Sequence, residues 1–140
     1  MTLFVDTSAW YAASDRGDRH NRAAAEILSS EERLVTTDHV IIETWLLIRG
    51  RSDRTIADRF WNGLRAGAAS VEMVGPADLE VAWSIGEGFP DQDFSIVDRT
   101  SFAVMQRLGL TRVASFDFHF SVYRYGPRRE SAFDVVRAPS

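Results

Sequence analysis

The chain has 140 residues, a net charge of −4, sixteen arginines, and neither cysteine nor lysine. Without cysteine there is no disulfide framework, zinc–thiolate site or iron–sulfur cluster, and without lysine there is no Schiff-base, P-loop or receiver-type chemistry. A hydrophobic fraction of 45% and a charged fraction of 26% are typical of globular proteins. We expect one domain over residues 1–140, without a signal peptide or membrane span, acting in the cytoplasm.

Strand-like and helical segments alternate along the chain. In order, the predicted elements are a strand over 2–5, helical segments over 7–14 and 20–30, a strand or connection over 33–37, helices over 38–49 and 51–67, a strand over 70–75, a helix starting at Pro76, a helix between Asp93 and Gly109, and strands over 112–116 and 131–136. Asp38, Asp53 and Asp93 are interpreted as helix N-caps. Because strands separated by helices pair in parallel, we predict a three-layer α/β/α sandwich with a mainly parallel sheet.

Two acidic residues directly follow predicted strands. Asp6 comes after the strand "LFV", and Asp117 comes after "RVASF". In an open parallel sheet, ligands bind beyond the carboxyl ends of the strands. If these two strands are neighbours, both carboxylates lie at the same edge of the sheet.

Two other acidic residues interrupt apolar helical segments. Glu43 lies within "HVIIETWLLI", which we interpret as a buried helix, and Asp98 lies within "FSIVDRTSFAVM". An ionised carboxylate in such surroundings must protonate, pair or bind a cation. Separate ion pairs with Arg16, Arg22 or Arg99 are one explanation, but a single cation site shared by all four acids is simpler.

Oxygen ligands of this kind favour Mg²⁺, with Mn²⁺ as a possible substitute. Such ions assist the hydrolysis of phosphodiesters without a protein nucleophile. Four hydroxyls are candidate supporting groups: Thr7 and Ser8 could position water or phosphate or act as ordinary N-caps, and Ser95 and Ser115 could orient a carboxylate. His39 and His119 are interpreted as packing or surface residues.

Four segments together resemble PIN-domain ribonucleases, in particular VapC-type toxins of toxin–antitoxin pairs. They are "FVDTSAW", "TTDHVIIET", "DQDFSIVDRTSFAVMQRLGL" and "VASFDFHF", in order and at suitable spacing. The resemblance implies a Mg²⁺-dependent endoribonuclease whose catalytic and metal-binding residues are Asp6, Glu43, Asp98 and Asp117. It also implies a homodimer and a cognate antitoxin that blocks the site, often with an inserted arginine.

Other interpretations stay open at this point. A non-catalytic RNA- or partner-binding module, a housekeeping nuclease of the same fold and a nuclease acting on DNA flaps are alternatives, whereas a haloacid-dehalogenase-like phosphatase would need an acid where Ser8 stands. Trp61 and Trp83 belong either to a dimer face or to the core. The arginine-rich segment with Arg124, Arg128 and Arg129 is either a solvated loop or an RNA contact.

Overall fold

The computed structural model describes residues 1–139 of the chain. Its elements are β1 (Thr2–Val5), α1 (Thr7–Ser14), α2 (Asn21–Leu28), β2 (Arg33–Thr37), α3 (Asp38–Arg51), α4 (Arg54–Arg65), β3 (Ser70–Glu72), α5 (Pro76–Gly88), α6 (Ile96–Leu108), β4 (Arg112–Ala114), α7 (His119–Val122) and β5 (Asp134–Val136). No helix within residues 1–139 is both long enough and apolar enough to cross a bilayer.

The five strands form one sheet in the order β3-β2-β1-β4-β5, and every neighbouring pair is parallel. Phe4 of the central strand aligns with Val35 of β2 and with Val113 of β4. Leu3, Phe4 and Val5 have no solvent exposure, as expected of a parallel strand covered on both faces. The predicted parallel α/β architecture is confirmed, and residues 33–37 are a strand.

Several predicted elements are shorter in the structure. The edge strands β3 and β5 and the strand β4 have three residues each, and α4 begins only at Arg54. Asp53 is the N-cap of α4, as predicted, because its carboxylate accepts a hydrogen bond from Ile56 N at 2.9 Å. The predicted 112–116 strand ends at Ala114, so the residues that follow lie outside the sheet.

Two predicted N-caps are wrong by one or two residues. Thr37 caps α3 by accepting from Val40 N at 3.1 Å, whereas Asp38 is the first helical residue and accepts from Val74 N at 2.9 Å. Asp38 therefore joins α3 to the chain after β3. Ser95, not Asp93, caps α6.

The helix α3 is less buried than its apolar sequence predicts. Its buried residues are Val40, Thr44 and Ile48, which lie four residues apart along one stripe. Ile42 and Leu46 are each 58% exposed. The interpretation of α3 as a buried helix is therefore wrong, and the helix presents an apolar outer surface.

The two candidate tryptophans are exposed. Trp61 of α4 is 51% exposed and Trp83 of α5 is 66% exposed, so neither is a core residue. A cluster of buried aromatic side chains lies instead around α6 and α7, where the rings of Phe102 and Tyr123 stack with centroids 4.2 Å apart.

Candidate active site

A cleft of about 400 Å³ lies at the end of the sheet where β1 and β4 finish. Its lining includes the four predicted carboxylates, Asp6, Glu43, Asp98 and Asp117. Asp6 follows β1 directly, Glu43 comes from the middle of α3, Asp98 from the first turn of α6, and Asp117 from the bend before α7. The topology thus brings four segments that are distant in sequence to one place.

Asp6 is the most buried of these acids, at 3% exposure. Its Oδ2 accepts hydrogen bonds from Ser115 Oγ at 3.0 Å and from Ser8 Oγ at 3.1 Å. Burial, followed by the negative charge of Asp98, raises the pKa of Asp6 from 3.8 to about 7, although the two hydroxyls oppose the shift. Without a cation, this carboxyl therefore carries a proton for part of the time at neutral pH.

Burial also raises the pKa values of Asp98 and Glu43, and the charge of Asp117 adds to both shifts. Asp98 further raises the pKa of Glu43, whereas the nearby Thr7 hydroxyl lowers it. The Thr7 hydroxyl is nevertheless not aligned for a hydrogen bond with Glu43. A cation bound among these acids would favour their ionised forms and oppose these shifts.

The alternative of separate arginine ion pairs is wrong. Within residues 1–139 no arginine forms an ion pair with any of the four carboxylates. Arg22 pairs with Glu26 on its own helix, and Arg99 donates from Nε to the carbonyl of Phe94 at 2.9 Å. Arginine ion pairs therefore do not account for the four acids in the cleft.

His119 belongs to the site, so its interpretation as a packing or surface residue is wrong. Its Nδ1 lies 2.7 Å from Asp98 Oδ2 and 3.3 Å from Asp117 Oδ1. Ligand atoms of His119, Asp98 and Asp117 all lie within 4.8 Å of one another, a grouping that can hold a metal ion. The available sequence signal was the spacing of two residues from Asp117, whose Oδ1 accepts from His119 N at 2.8 Å.

The four candidate hydroxyls differ in their contacts, although two of them share Asp6 as a partner. Ser8 and Ser115 both donate to Asp6, and their oxygens lie 3.2 Å apart. Ser115 also accepts from Asp117 N at 3.1 Å, so it joins β4 to the bend that carries Asp117. Ser115 therefore orients Asp6 and positions only the backbone of Asp117.

Ser95 supports Asp98 through the backbone. Its hydroxyl accepts from Asp98 N at 3.0 Å, and its N–H donates to Asp98 Oδ2 at 3.1 Å, which together form a capping box. Thr7 differs from the three serines because its buried Oγ1 has no hydrogen-bond partner within residues 1–139. The N-cap interpretation of Thr7 is therefore wrong, and its oxygen is available for a ligand in the cleft.

The donor set fits a hard divalent cation. Carboxylate oxygens predominate, and an unpartnered hydroxyl lines the same cleft; oxygen donors of this kind select Mg²⁺, Mn²⁺ or Ca²⁺. The nitrogen of His119 is a softer donor that Mn²⁺ accepts more readily than Mg²⁺.

Further residues line the cleft that the sequence did not single out as site residues. They are Tyr11, Ala12, Asp18, His20, Leu47, Arg51 and Phe116. The rings of His20 and Phe116 stack with centroids 4.4 Å apart and planes 10° apart. Neither the stack nor Arg51 could be found by periodicity, because both depend on how distant segments meet.

The arginine-rich segment lies against a different cavity, of about 460 Å³, between α5 and the chain after α7. Arg124 and Arg129 line it together with Phe89, and the Arg129 guanidinium sits 4.1 Å from the centroid of that ring. Arg128 is exposed. Whether this segment contacts RNA stays a prediction.

Comparison with known proteins identifies the family. The PIN domain matches residues 3–124. The 23S rRNA-specific endonuclease VapC20 of Mycobacterium tuberculosis is 36% identical over 121 residues, which is 85% of this chain and 92% of that protein. Ribonuclease VapC26 of the same organism is 27% identical over 124 residues, 87% of this chain and 92% of its own. The chain belongs to the PIN-domain family.

The solved structure of VapC20, described as a toxin that cleaves the sarcin–ricin loop, superposes with a TM-score of 0.80. The two chains are 34% identical, and the match covers 86% of this chain and 93% of VapC20. The predicted PIN-like fold and the predicted class, a nuclease of the VapC type, are confirmed by these comparisons.

Proposed function

We propose that this protein is a Mg²⁺-dependent endoribonuclease and the toxin of a type II toxin–antitoxin pair, acting in the cytoplasm. The observation that carries the proposal is the meeting of Asp6, Glu43, Asp98 and Asp117 in one cleft, where no arginine among residues 1–139 forms an ion pair with any of them. A non-catalytic RNA-binding module would gain nothing from this arrangement, because concentrated negative charge repels the RNA backbone.

In this proposal the four carboxylates hold the cation, and Thr7 and His119 complete the surroundings. A bound Mg²⁺ supplies charge neutralisation on the scissile phosphodiester and a water of lowered pKa. The protein's own part is positional. Ser8 and Ser115 fix the carboxylate of Asp6, while the N–H of Ser95 and the ring of His119 fix that of Asp98.

The substrate we propose to examine first is 23S rRNA, because VapC20 is named as an endonuclease specific for that RNA. The sarcin–ricin loop named for the VapC20 structure narrows the choice to one region. RNA loops expose unpaired bases that a cleft can hold. Messenger RNA and transfer RNA are competing substrates.

The deciding experiment is incubation of purified protein with ribosomal, transfer and messenger RNA, followed by sequencing of the cleaved ends. We expect cleavage with Mg²⁺ or Mn²⁺ and none with a chelator. Asp6→Asn and Asp98→Asn should each lower the rate at least ~100-fold while leaving the circular dichroism spectrum unchanged. Undiminished cleavage by either variant would reject the site.

We also propose a homodimer and a heterocomplex with an antitoxin. Exposed apolar side chains on α3 and α5 support a protein-covered surface, among them Ile42, Leu46 and Trp83. Light scattering on the purified protein tests the dimer. A neighbouring gene for a small DNA-binding protein whose product blocks cleavage would establish the pair, and its absence would favour a housekeeping nuclease.

A further inference from the structure

The cleft has a cation of its own, which comes from the end of α3. Arg51, at the last position of α3, lines the cleft together with the four carboxylates. It is the single arginine in that lining, and it forms no ion pair with any residue among 1–139. A guanidinium beside several carboxylates that pairs with none of them needs a different explanation.

The guanidinium of Arg51 is held by an aromatic ring. Its Cζ lies over the ring of Tyr11, 5.0 Å from the centroid. Tyr11 is 8% exposed, and its hydroxyl donates to Asp15 Oδ2 at 2.9 Å. Asp15 in turn accepts from Gly17 N at 2.9 Å, which fixes it to the turn after α1. An arginine stacked in this way loses less freedom when it binds an anion.

The helix dipole alone does not account for this position. Arg49 also lies in the last turn of α3, and both arginines are exposed, so the negative end of the helix favours either of them. Only Arg51 lines the cleft and stacks on Tyr11. The two arginines therefore form a natural comparison, with the same charge on the same helix but different surroundings.

We infer that Arg51 binds a backbone phosphate of the single-stranded RNA substrate in the cleft. This inference rests on the proposed function. Five acids, Asp6, Asp18, Glu43, Asp98 and Asp117, line the cleft, so RNA must approach against strong repulsion. The guanidinium of Arg51 in this lining binds a phosphate in a forked geometry and holds the RNA strand beside the carboxylates. The stacked rings of His20 and Phe116 line the same cleft and offer a flat surface for a base.

The test measures RNA binding in an Asp98→Asn background, so that the RNA is not cut. A short fluorescein-labelled single-stranded RNA is titrated at several KCl concentrations with Arg51→Gln, Arg49→Gln and the parent. We expect Arg51→Gln to weaken binding about tenfold and to reduce the slope of log K against log salt by about 0.7, the value for one lost phosphate contact on a single strand. Arg49→Gln should change neither quantity, and Arg51→Lys should restore the slope but only part of the affinity.

Steady-state cleavage by protein that keeps Asp98 gives an independent measurement. We expect Arg51→Gln to raise KM with kcat within about twofold of the parent, because a phosphate contact away from the reacting group acts on substrate binding. Thermal melting of each variant shows that the fold is intact.

Equal affinities and slopes for Arg51→Gln and Arg49→Gln would overturn the inference. So would an Arg51→Gln variant whose RNA binding is unchanged while its binding to the antitoxin is lost, since Arg51 would then recognise a protein. Failure of the unmodified protein to cut any RNA with Mg²⁺ or Mn²⁺ would instead overturn the proposed function.

Discussion

The Nδ1 of His119 lies at hydrogen-bond distance from Asp98 Oδ2, 2.7 Å away, where the imidazole donates to the ionised carboxylate, and the same Nδ1 lies 3.3 Å from Asp117 Oδ1. One imidazole thus separates two carboxylates that would otherwise repel each other. This placement gives His119 a stabilising role in the metal-free protein, because an N–H directed at a carboxylate offsets part of the repulsion between neighbouring charges.

We expect His119→Ala to lower the melting temperature of the metal-free protein and to increase the rise in melting temperature on adding Mg²⁺. In this variant the imidazole no longer offsets the repulsion between Asp98 and Asp117, so a bound Mg²⁺ neutralises more of it than in the parent. Differential scanning fluorimetry with chelator and with Mg²⁺ measures both effects. His39→Ala is the matched control. His39 has a long contact of 4.0 Å with Asp38 and does not belong to the group of Asp98, Asp117 and His119. Equal behaviour of the two variants would contradict the assigned role.

The pKa of Asp6 predicts a pH dependence of stability in the absence of metal. Because the folded pKa of about 7 lies above the ordinary value of 3.8, the folded protein holds a proton that the unfolded chain releases between these pH values. The protonated carboxyl of Asp6 therefore contributes its full stability below pH ~4. This contribution is lost as pH rises to about 7, and the free energy of unfolding falls by about 4 kcal/mol over that range.

Asp6→Asn removes this titration. We expect the variant to gain stability relative to the parent as pH rises from about 4 to 7, with no further gain above that range. Urea unfolding at several pH values in the presence of a chelator measures the difference. Saturating Mg²⁺ should remove most of it, because a cation favours the ionised carboxylate. A difference that does not vary with pH would contradict the burial of an unpaired acid.

The positions of the four carboxylates could be predicted because each rests on a local rule. Asp6 follows a short apolar strand, and the end of a parallel strand fixes where the next side chain lies. Asp98 interrupts a helix whose residues are mostly apolar, and it is 6% exposed in the structure. The prediction of Glu43 rested on a burial of α3 that the structure does not show, because Ile42 and Leu46 are exposed. Glu43 instead lies on the part of α3 that lines the cleft.

The contacts between segments could not be predicted in the same way. The hydroxyl of Ser115 bonds Asp6 rather than the carboxylate of Asp117 because β4 ends at Ala114, so strand alternation no longer applies to residue 115. Thr37 and not Asp38 caps α3, because the carboxylate of Asp38 accepts instead from Val74 N in the chain after β3. Such choices depend on tertiary packing that a one-dimensional pattern does not contain.

Removing a charge from the cleft should stabilise the metal-free protein, and the gain should depend on the hydrogen bonds lost. Glu43→Gln gives up a carboxylate that has no well-formed hydrogen bond among residues 1–139, whereas Asp98→Asn weakens contacts with His119 and Ser95 N. We therefore expect Glu43→Gln to raise the metal-free melting temperature more than Asp98→Asn does, by about 3 °C for each kcal/mol gained.

Melting curves at pH 8 with a chelator measure this order, and both variants should show a smaller rise than the parent when Mg²⁺ is added. A lower melting temperature for Glu43→Gln would mean that its charge is stabilised by a partner, which would contradict the convergence of the acids.

Ser115 and Ser101 offer a matched pair of buried hydroxyls, each with no solvent exposure. Ser115 Oγ donates to Asp6 and accepts from Asp117 N, while Ser101 Oγ has no partner within residues 1–139. Ser115→Ala should lower the free energy of unfolding by about 1–3 kcal/mol, since it leaves the buried N–H of Asp117 unpaired. It should also reduce cleavage about 10–100-fold, because the carboxylate of Asp6 and the backbone of Asp117 each lose a hydrogen bond that positions them.

Ser101→Ala should change stability by less than about 0.5 kcal/mol and leave cleavage unchanged, since the lost hydroxyl makes no hydrogen bond to give up. Urea unfolding and initial cleavage rates at saturating Mg²⁺ compare the two variants directly. Because both substitutions remove one oxygen from a fully buried serine, a difference between them measures the contacts of Ser115 and not the change in volume. If Ser115→Ala cleaved RNA as fast as Ser101→Ala, the hydroxyl would contribute to the fold alone, and Asp6 would be held well enough by Ser8.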